Sequence, residues 1–465
     1  MEPLRVNEIL EATGGELLQG DKDTRICGIS TDSRKIARGD LFIALKGDRF
    51  DGHNFIDEVI NQGASGILIS KFEIRNSKFE IPIPIIKVKD TLIALGKIAV
   101  DYRQKFRIPI IAITGSNGKT TTKEMAWTLL SKKFNTLKSK GSFNNAIGLP
   151  LTLLELNNTT QAAVVEMGMN QVGEIKYLAQ IAKPTIGLIT NIGESHLGHL
   201  NSRANIAGEK AQLLEAVAKN GIGILNSDDY YSNRIKFKGK KITFGIRHQA
   251  DITASDITQD INGIKFKIYK SYKTYRSYRT YKSYSVTVPI LGLHNVYNVL
   301  GATAIALAAG IDWKLIKDAY QELKTPYGRM ELHSCGNVKV INDAYNANPT
   351  SMKAALETLD QIQTNGRKIF VMGDMLELGD FTKSFHQSVV KKAIETGVNI
   401  LFTLGEDAGR AAKDAGSQGI KVYQCETNEE IITKLKKILV PQDIILIKGS
   451  RRMKLEEVVE GLKEL

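Results

Sequence analysis

Cysteine is nearly absent: three in 465 residues (Cys27, Cys335, Cys425), widely separated and without CxxC spacing. That excludes a disulfide framework and a thiolate metal cluster, and it fits a reducing compartment, the cytoplasm. Ten prolines beside 40 glycines exclude collagen-like structure. No run approaches 18 uninterrupted apolar residues, so no membrane span is expected. The opening stretch MEPLRVNEILEATGGELLQG has no basic segment leading into an apolar core, so no signal peptide is read there. Disorder is excluded as well. Hydrophobic residues make up 42% and charged residues 24%, the balance of an ordinary folded chain.

The length predicts about three domains at roughly 150 residues each. A net charge of +13 points to anionic partners. Part of that excess is local, because Tyr269–Tyr284 (YKSYKTYRSYRTYKSY) holds five basic residues and no acid. The rest of the chain remains basic, so charge alone does not separate phosphorylated substrates from nucleic acid.

Composition changes along the chain in three regimes. Residues 1–108 hold short apolar runs (Leu41–Leu45, Gly66–Ser70) and a helical pattern at Asn54–Gln62, as expected of a small α/β domain. Residues 109–325 begin with strand, glycine loop and helix, followed by strands that each end in a polar residue. Residues 326–465 alternate regularly, with strands expected at Val338–Asn342, Ile369–Met372, Ile400–Leu404, Lys421–Tyr423 and Ile444–Lys448. Near-continuous apolar strands between helical patterns predict parallel, doubly wound sheets in an α/β fold of three domains. The Tyr269–Tyr284 tract lies between strand-like runs at Gly263–Ile268 and Val286–Ile290. Its period of three suits neither strand nor helix. Aromatics interleaved with bases suit single-stranded nucleic acid; a solvated hairpin extension is the plainer expectation, and no nucleic-acid partner is expected.

The strongest local signal is the strand Ile110–Thr114 running into Gly115-Ser116-Asn117-Gly118-Lys119-Thr120-Thr121 and then a helix. Gly115 and Gly118 let backbone N–H groups approach phosphate oxygens, and the helix N-terminus adds positive potential. Lys119 reaches the β/γ-phosphates and Thr120 is placed for Mg²⁺. Ile113 stands where the general P-loop has its first glycine, leaving the shorter GxxGKT. ATP is the expected nucleotide. Downstream, Ala162–Glu166 is a strand ending in a carboxylate suited to the Mg²⁺ shell, and Ile186 opens a strand that delivers His196. Lys210, taken alone, reads as a surface helix lysine.

Together GSNGKTTTK, VVEMG, TNIGESHL and GEKAQLL resemble the ATP-binding centre of the Mur ligases. The strings Asn342-Asp-Ala-Tyr-Asn-Ala-Asn-Pro349 and Gly373-Asp-Met-Leu-Glu-Leu-Gly379 are similar to those of the family branch that adds D-alanyl-D-alanine to UDP-N-acetylmuramoyl-tripeptide. The resemblance implies three domains: an N-terminal UDP-substrate domain, a central P-loop ATPase domain and a C-terminal Rossmann-like domain that closes over both. It implies a monomeric cytoplasmic ligase acting through an acyl phosphate, with ATP and Mg²⁺ as cofactors. It further implies that Lys119 neutralises the γ-phosphate, that Thr120 and Glu166 hold one Mg²⁺, and that His196 ligates a second. Lys210 takes the position of the family's carbamylated lysine. Relatives often carry an acid after His-Leu where this chain has Gly198. Asn295 is implied in adenine contact, the reading of the residues alone being a helix cap. Arg329 is implied as a mobile cation for the γ-phosphate, and Asp343 as a ribose acceptor. Ser30, Asp32, Ser33, Arg34 and Arg49 resemble UDP-binding residues, against the alternative of a capped turn. Asn144 and Asn145 resemble a segment that meets the muramoyl-peptide. Lys448-Gly-Ser-Arg451 suits a carboxylate of the incoming peptide, or a plain turn.

Overall fold

The computed structural model describes the chain apart from residues 48–49, 72–82, 195–199, 274–278, 414 and 464–465; for 271–273 and 279–282 it describes the backbone alone. Among the described residues the larger sheets have five, nine and six strands, in chain order.

The first sheet orders Glu16–Gln19, Ile85–Lys87, Gly66–Ile69, Asp40–Ile43 and Gly28–Ser30, with only the Glu16–Gln19 pairing antiparallel. The helix Thr91–Gln104 is capped by Asp90, whose carboxylate accepts from Ile93 N at 2.9 Å.

The second sheet places Ile110–Thr114 between Ala162–Glu166 and Ile186–Ile189, all three parallel. Each of these strands is fully buried, because helices cover both faces and leave no solvent side to select polar residues. The chain leaves the central strand toward one neighbour and later returns on the other side. Ligands gather at such a switch point, outside the carboxyl ends of the strands. Beyond Ile186–Ile189 the sheet continues through Ile222–Asn226, Lys240–Gly245 and Ile252–Asp260, then turns antiparallel through Gly263–Lys273 and Arg279–Val288.

These last two strands reach further than the apolar runs suggested. The period-three tract pairs as a ladder from Ile268↔Tyr284 to Lys273↔Arg279. Its end residues belong to the domain: Tyr284 stacks on Trp313 with ring centroids 4.5 Å apart, and Tyr269 Oη lies 2.8 Å from Ser255 Oγ.

The third sheet carries Val338–Asn342, Ile444–Lys448, Lys368–Gly373, Ile400–Leu404 and Lys421–Cys425 in parallel, within a residue or two of expectation. One edge strand, Glu331–Cys335, was not anticipated. It pairs antiparallel with Val338–Asn342, and its ELHSC sequence is mostly half-exposed, so it carries no strong apolar signal. The apolar core is continuous between the first sheet's helices and one face of the second. Separate clusters fill the second sheet's other face and the two faces of the third.

Candidate functional site

A cleft of about 770 Å³ opens at the carboxyl ends of the central strands and is closed on its far side by residues of the third sheet. Its floor is the glycine loop. Gly115 (φ 149°) and Gly118 (φ 80°) adopt backbone conformations that L side chains rarely take. A Cβ at Gly115 would collide with the Thr190 hydroxyl, and one at Gly118 with the Asn298 amide. The loop is therefore bounded by side chains as well as by its own torsions.

The neighbouring strand's end fixes the loop. Ser116 N donates to Asn191 O at 2.9 Å and Asn117 N to Asn191 Oδ1 at 3.0 Å. Thr190 Oγ1 and Asn191 Nδ2 both donate to Asn117 O, at 2.5 and 3.0 Å. Gly193 N closes the set by donating to Ser116 Oγ at 2.8 Å.

Lys119 begins the helix Lys119–Leu130 and folds back over the loop, donating to Gly115 O at 2.8 Å. Burial pushes its pKa below the ordinary lysine range; Glu166 opposes that shift and Arg329 adds to it. Thr120 is buried beside it, with Arg329 Nη2 at 3.5 Å from its hydroxyl. Glu166, also buried, accepts from Asn144 Nδ2 at 2.8 Å through Oε1, while its buried Oε2 has no hydrogen-bond partner among the described residues. A carboxylate oxygen without a partner and a threonine hydroxyl lining the same cleft are donors of the kind a hard cation takes.

Lys210 is not the surface residue its local sequence suggests. It is 2% exposed on the helix Arg203–Glu215, and among the described residues nothing accepts a hydrogen bond from it. Burial drives its pKa well down, and the charge of Lys119 adds to the shift. Both effects disfavour its ammonium form.

The third sheet supplies the opposite wall. Arg329 lies over the Tyr345 ring at 4.4 Å, and the Tyr345 hydroxyl meets Ser142 Oγ. Asn348 Nδ2 donates to Asn117 Oδ1 at 2.7 Å, joining the glycine loop to the N-cap of the helix Pro349–Gln361. Asp343 accepts from Met330 N at 3.1 Å and pairs with buried Lys448 at 2.7 Å. Asn295 is buried, but Gly292 caps its helix instead; Asn295 donates to Leu291 O at 2.7 Å and accepts from Asn298.

The cleft thus gathers Ser116, Asn117, Gly118, Lys119, Thr120, Thr121, Asn144, Asn145, Glu166, Asn295, Arg329 and Asp343. Gly115 and Lys210 lie behind its surface. His196 and Arg49 fall outside the described residues. Ser30, Asp32, Ser33 and Arg34 do not line the cleft; Asp32 caps the short turn Ser33–Lys35 and pairs with Arg34 Nε at 2.8 Å. Of the C-terminal string, Lys448 is committed to Asp343 and to Asn346 O. The sequence reading missed Asn191, Tyr345, Asn348 and the half-buried His294 as cleft residues. Tyr345 and Asn348 lie inside the quoted NDAYNANP string, but only the fold reveals which of its residues face the loop.

Family models agree with this architecture. "Mur ligase family, catalytic domain" matches residues 25–103, "Mur ligase middle domain" 113–306, and "Mur ligase, glutamate ligase domain" 328–451. A UDP-N-acetylmuramoyl-tripeptide–D-alanyl-D-alanine ligase of Bacillus subtilis (strain 168) is 36% identical, covering 99% of this chain and 98% of that protein. A crystal structure of MurF from Acinetobacter baumannii superposes with a TM-score of 0.88 at 33% identity, covering 100% of both chains. MurF from Thermotoga maritima in complex with ADP superposes with a TM-score of 0.79 at 25% identity, covering 94% of this chain and 97% of that one.

Proposed function

Because the chain belongs to the Mur ligase family, we propose that it is the ATP-dependent acid–D-amino-acid ligase that adds D-alanyl-D-alanine to UDP-N-acetylmuramoyl-tripeptide, releasing ADP and phosphate. The observation that carries the reading is the two-sided cleft. A phosphate loop on one domain faces an arginine on another, 3.5 Å from the loop's own threonine. We take residues 1–108, 109–325 and 326–465 as the domains, with the turn before Arg329 as the joint between the last two.

A carboxylate and an amine do not condense unaided, because the leaving group is poor and the pair forms a salt. In the proposed reaction the tripeptide's terminal carboxylate attacks the γ-phosphorus of ATP, expelling ADP and forming an acyl phosphate. The dipeptide amine then adds to the acyl carbon, and the tetrahedral adduct expels phosphate. The protein's part is positioning and charge neutralisation. Backbone N–H groups of residues 115–121 hold the phosphates. Lys119 exchanges its contact with Gly115 O for a phosphate oxygen. Arg329 brings a second cation from the closing domain. Asn295 and Asp343 are assigned to adenine and ribose.

Thr120 and Glu166 would hold Mg²⁺, with His196 at a second ion; bound there, Mg²⁺ neutralises charge on the transferring phosphoryl group. The partnerless Glu166 Oε2 supports this assignment. Lys210 is suited to carbamylation because burial disfavours its ammonium form, and it is the free amine that attacks CO₂. Asn144 and Asn145 are assigned to the muramoyl-peptide, and Ser30, Asp32, Ser33, Arg34 and Arg49 to the UDP end. Cytoplasmic residence and a monomeric state belong to the same proposal; no helix among the described residues is long and apolar enough to cross a membrane.

The deciding experiment is phosphate release from ATP with UDP-N-acetylmuramoyl-tripeptide, with and without D-alanyl-D-alanine. Release that needs both, with pentapeptide product by mass spectrometry, is expected. Release that ignores the dipeptide sinks the reading.

A further inference from the structure

Six acids line the cleft: Glu166, Glu174, Glu194, Asp229, Asp343 and Glu377. Four are committed. Glu166 accepts from Asn144, and Asp343 pairs with Lys448. Asp229 accepts from the backbone of Ile192 and Tyr231, and Glu174 from that of Gln171. Among the described residues Glu194 and Glu377 bond to nothing. Glu194 belongs to the nucleotide side, next to His196. Glu377 stands alone on the opposite lip.

The Glu377 backbone is unusual. It is one of few non-glycine residues with positive φ, at 64°, a conformation that persists only where the surroundings over-determine it. They do so here. Met375 N donates to His386 Nε2 at 2.9 Å, and Leu376 N donates to Ser450 Oγ at 2.9 Å. Asp374 caps the helix Glu406–Ala411, accepting from Ala408 N at 2.7 Å, and its carbonyl accepts from Ser450 N at 3.0 Å. This framework presents an exposed carboxylate at the cleft's edge, without a partner among the described residues.

The same framework brings a cation alongside. The Leu376–Ser450 bond ties Glu377, one residue beyond it, to the turn Arg451–Met453. Arg451 is spent on Glu456 at 2.8 Å. Arg452 lines the cleft, exposed, and among the described residues pairs with nothing. One lip therefore offers one free anion and one free cation on either side of a fixed joint.

We propose that Glu377 and Arg452 form a subsite for a zwitterionic dipeptide. Glu377 holds the ammonium and Arg452 the carboxylate, groups about 7 Å apart in an extended dipeptide. The assignment of D-alanyl-D-alanine as occupant rests on the function proposed above. Arg452 is thus a specificity residue that rejects dipeptides lacking a free carboxylate. Glu377 is the residue that sets the amine against the acyl phosphate.

Two measurements on the full-length protein test this. In steady-state assays Glu377→Gln and Arg452→Ala should each raise the KM for D-alanyl-D-alanine by about tenfold or more, as loss of a charged contact does, with the KM values for ATP and UDP-tripeptide unchanged. Wild type should prefer D-alanyl-D-alanine to its C-terminal amide. Arg452→Ala should lose that preference and Glu377→Gln keep it, a split that a merely structural role would not produce. Dipeptide KM values within twofold of wild type in both variants overturn the subsite. Calorimetric binding of D-alanyl-D-alanine beside a non-hydrolysable ATP analogue separates the two ideas. Binding that weakens in Glu377→Gln while wild type shows no turnover retains the subsite and discards the ligase reading. Absence of binding to wild type discards the subsite.

Discussion

Lys119 is half-buried and Lys210 fully buried, with opposite assignments, and their surroundings explain the difference. Lys119 has carbonyl acceptors and faces Glu166, so it keeps a use for its charge. Lys119→Ala should cut turnover by about 10³-fold or more, on the scale of other cationic phosphoryl contacts, without changing the melting temperature by more than a few degrees. Retention of a tenth of wild-type activity would remove it from the mechanism. Lys210 has no acceptor among the described residues, and burial disfavours its charged form. Its folded pKa lies below the unfolded one, so between the two the unfolded state binds more protons and stability rises with pH. In CO₂-free buffer, denaturation midpoints of wild type should therefore climb from neutral pH toward the ordinary lysine pKa, and those of Lys210→Met should not. With bicarbonate-¹³C, wild type alone should show a carbamate carbon resonance. Lys210→Ala should lose activity while still binding ATP, and acetate at matched ionic strength should restore part of the rate. An unaffected Lys210→Ala enzyme would return this residue to a packing role.

Among the elements, the basic hairpin separates what a sequence pattern reveals from what it hides. Its period of three gave no strand signal, yet backbone pairing carries the ladder out to Lys273↔Arg279, because two antiparallel strands in register satisfy each other's hydrogen bonds whatever their side chains. The register sets Lys270 against Lys282 and Lys273 against Arg279. Tyr269 and Tyr284 anchor the base of this ladder to the domain. Replacing Lys270–Lys282 with an Asn-Gly turn preserves the register Tyr269↔Ser283 and should leave the ligase rate within about twofold. Extending the deletion by one residue, through Ser283, shifts that register and should lower the melting temperature by moving Tyr284 off Trp313. A large loss of rate in the in-register deletion, with the fold intact, would show that the tract contacts a substrate or a moving domain. The parallel strands were legible for the opposite reason. Buried on both faces, Ile110–Thr114 and Ile444–Lys448 had to be apolar up to their last residue, and the edge strand Glu331–Cys335 did not.

For the whole molecule, the central question is how one domain presents a cation to another domain's phosphate loop. The sequence exposed the loop itself, because glycines, lysine and threonine at fixed spacing have few alternative uses. It did not expose the opposing wall, since Tyr345 and Asn348 acquire their roles only when a second sheet is set against the first. Tyr345 is the piece that joins them. Its backbone N–H donates to Gly328 O at 3.0 Å, its ring lies 4.4 Å beneath the Arg329 guanidinium, and its hydroxyl reaches Ser142 on the central domain. Gly328 has φ 68°, and a Cβ there would press on Tyr345 at 3.2 Å, so the approach of the two segments depends on that glycine. Removing the ring should leave Arg329 covalently in place but unaimed. A partly desolvated cation–π contact is worth about 1–2 kcal/mol, which corresponds to roughly a tenfold loss in kcat for Tyr345→Ala. Equilibrium ATP binding, set mainly by residues 115–121, should change by less than about threefold. Tyr345→Phe keeps the ring and forfeits only the hydroxyl contact, so its kcat should lie much closer to wild type. If Tyr345→Phe falls as far as Tyr345→Ala, the bridge to Ser142 matters more than the aim of Arg329. If ATP binding falls in step with kcat, Tyr345 serves the nucleotide itself and not the closing of one domain upon the other.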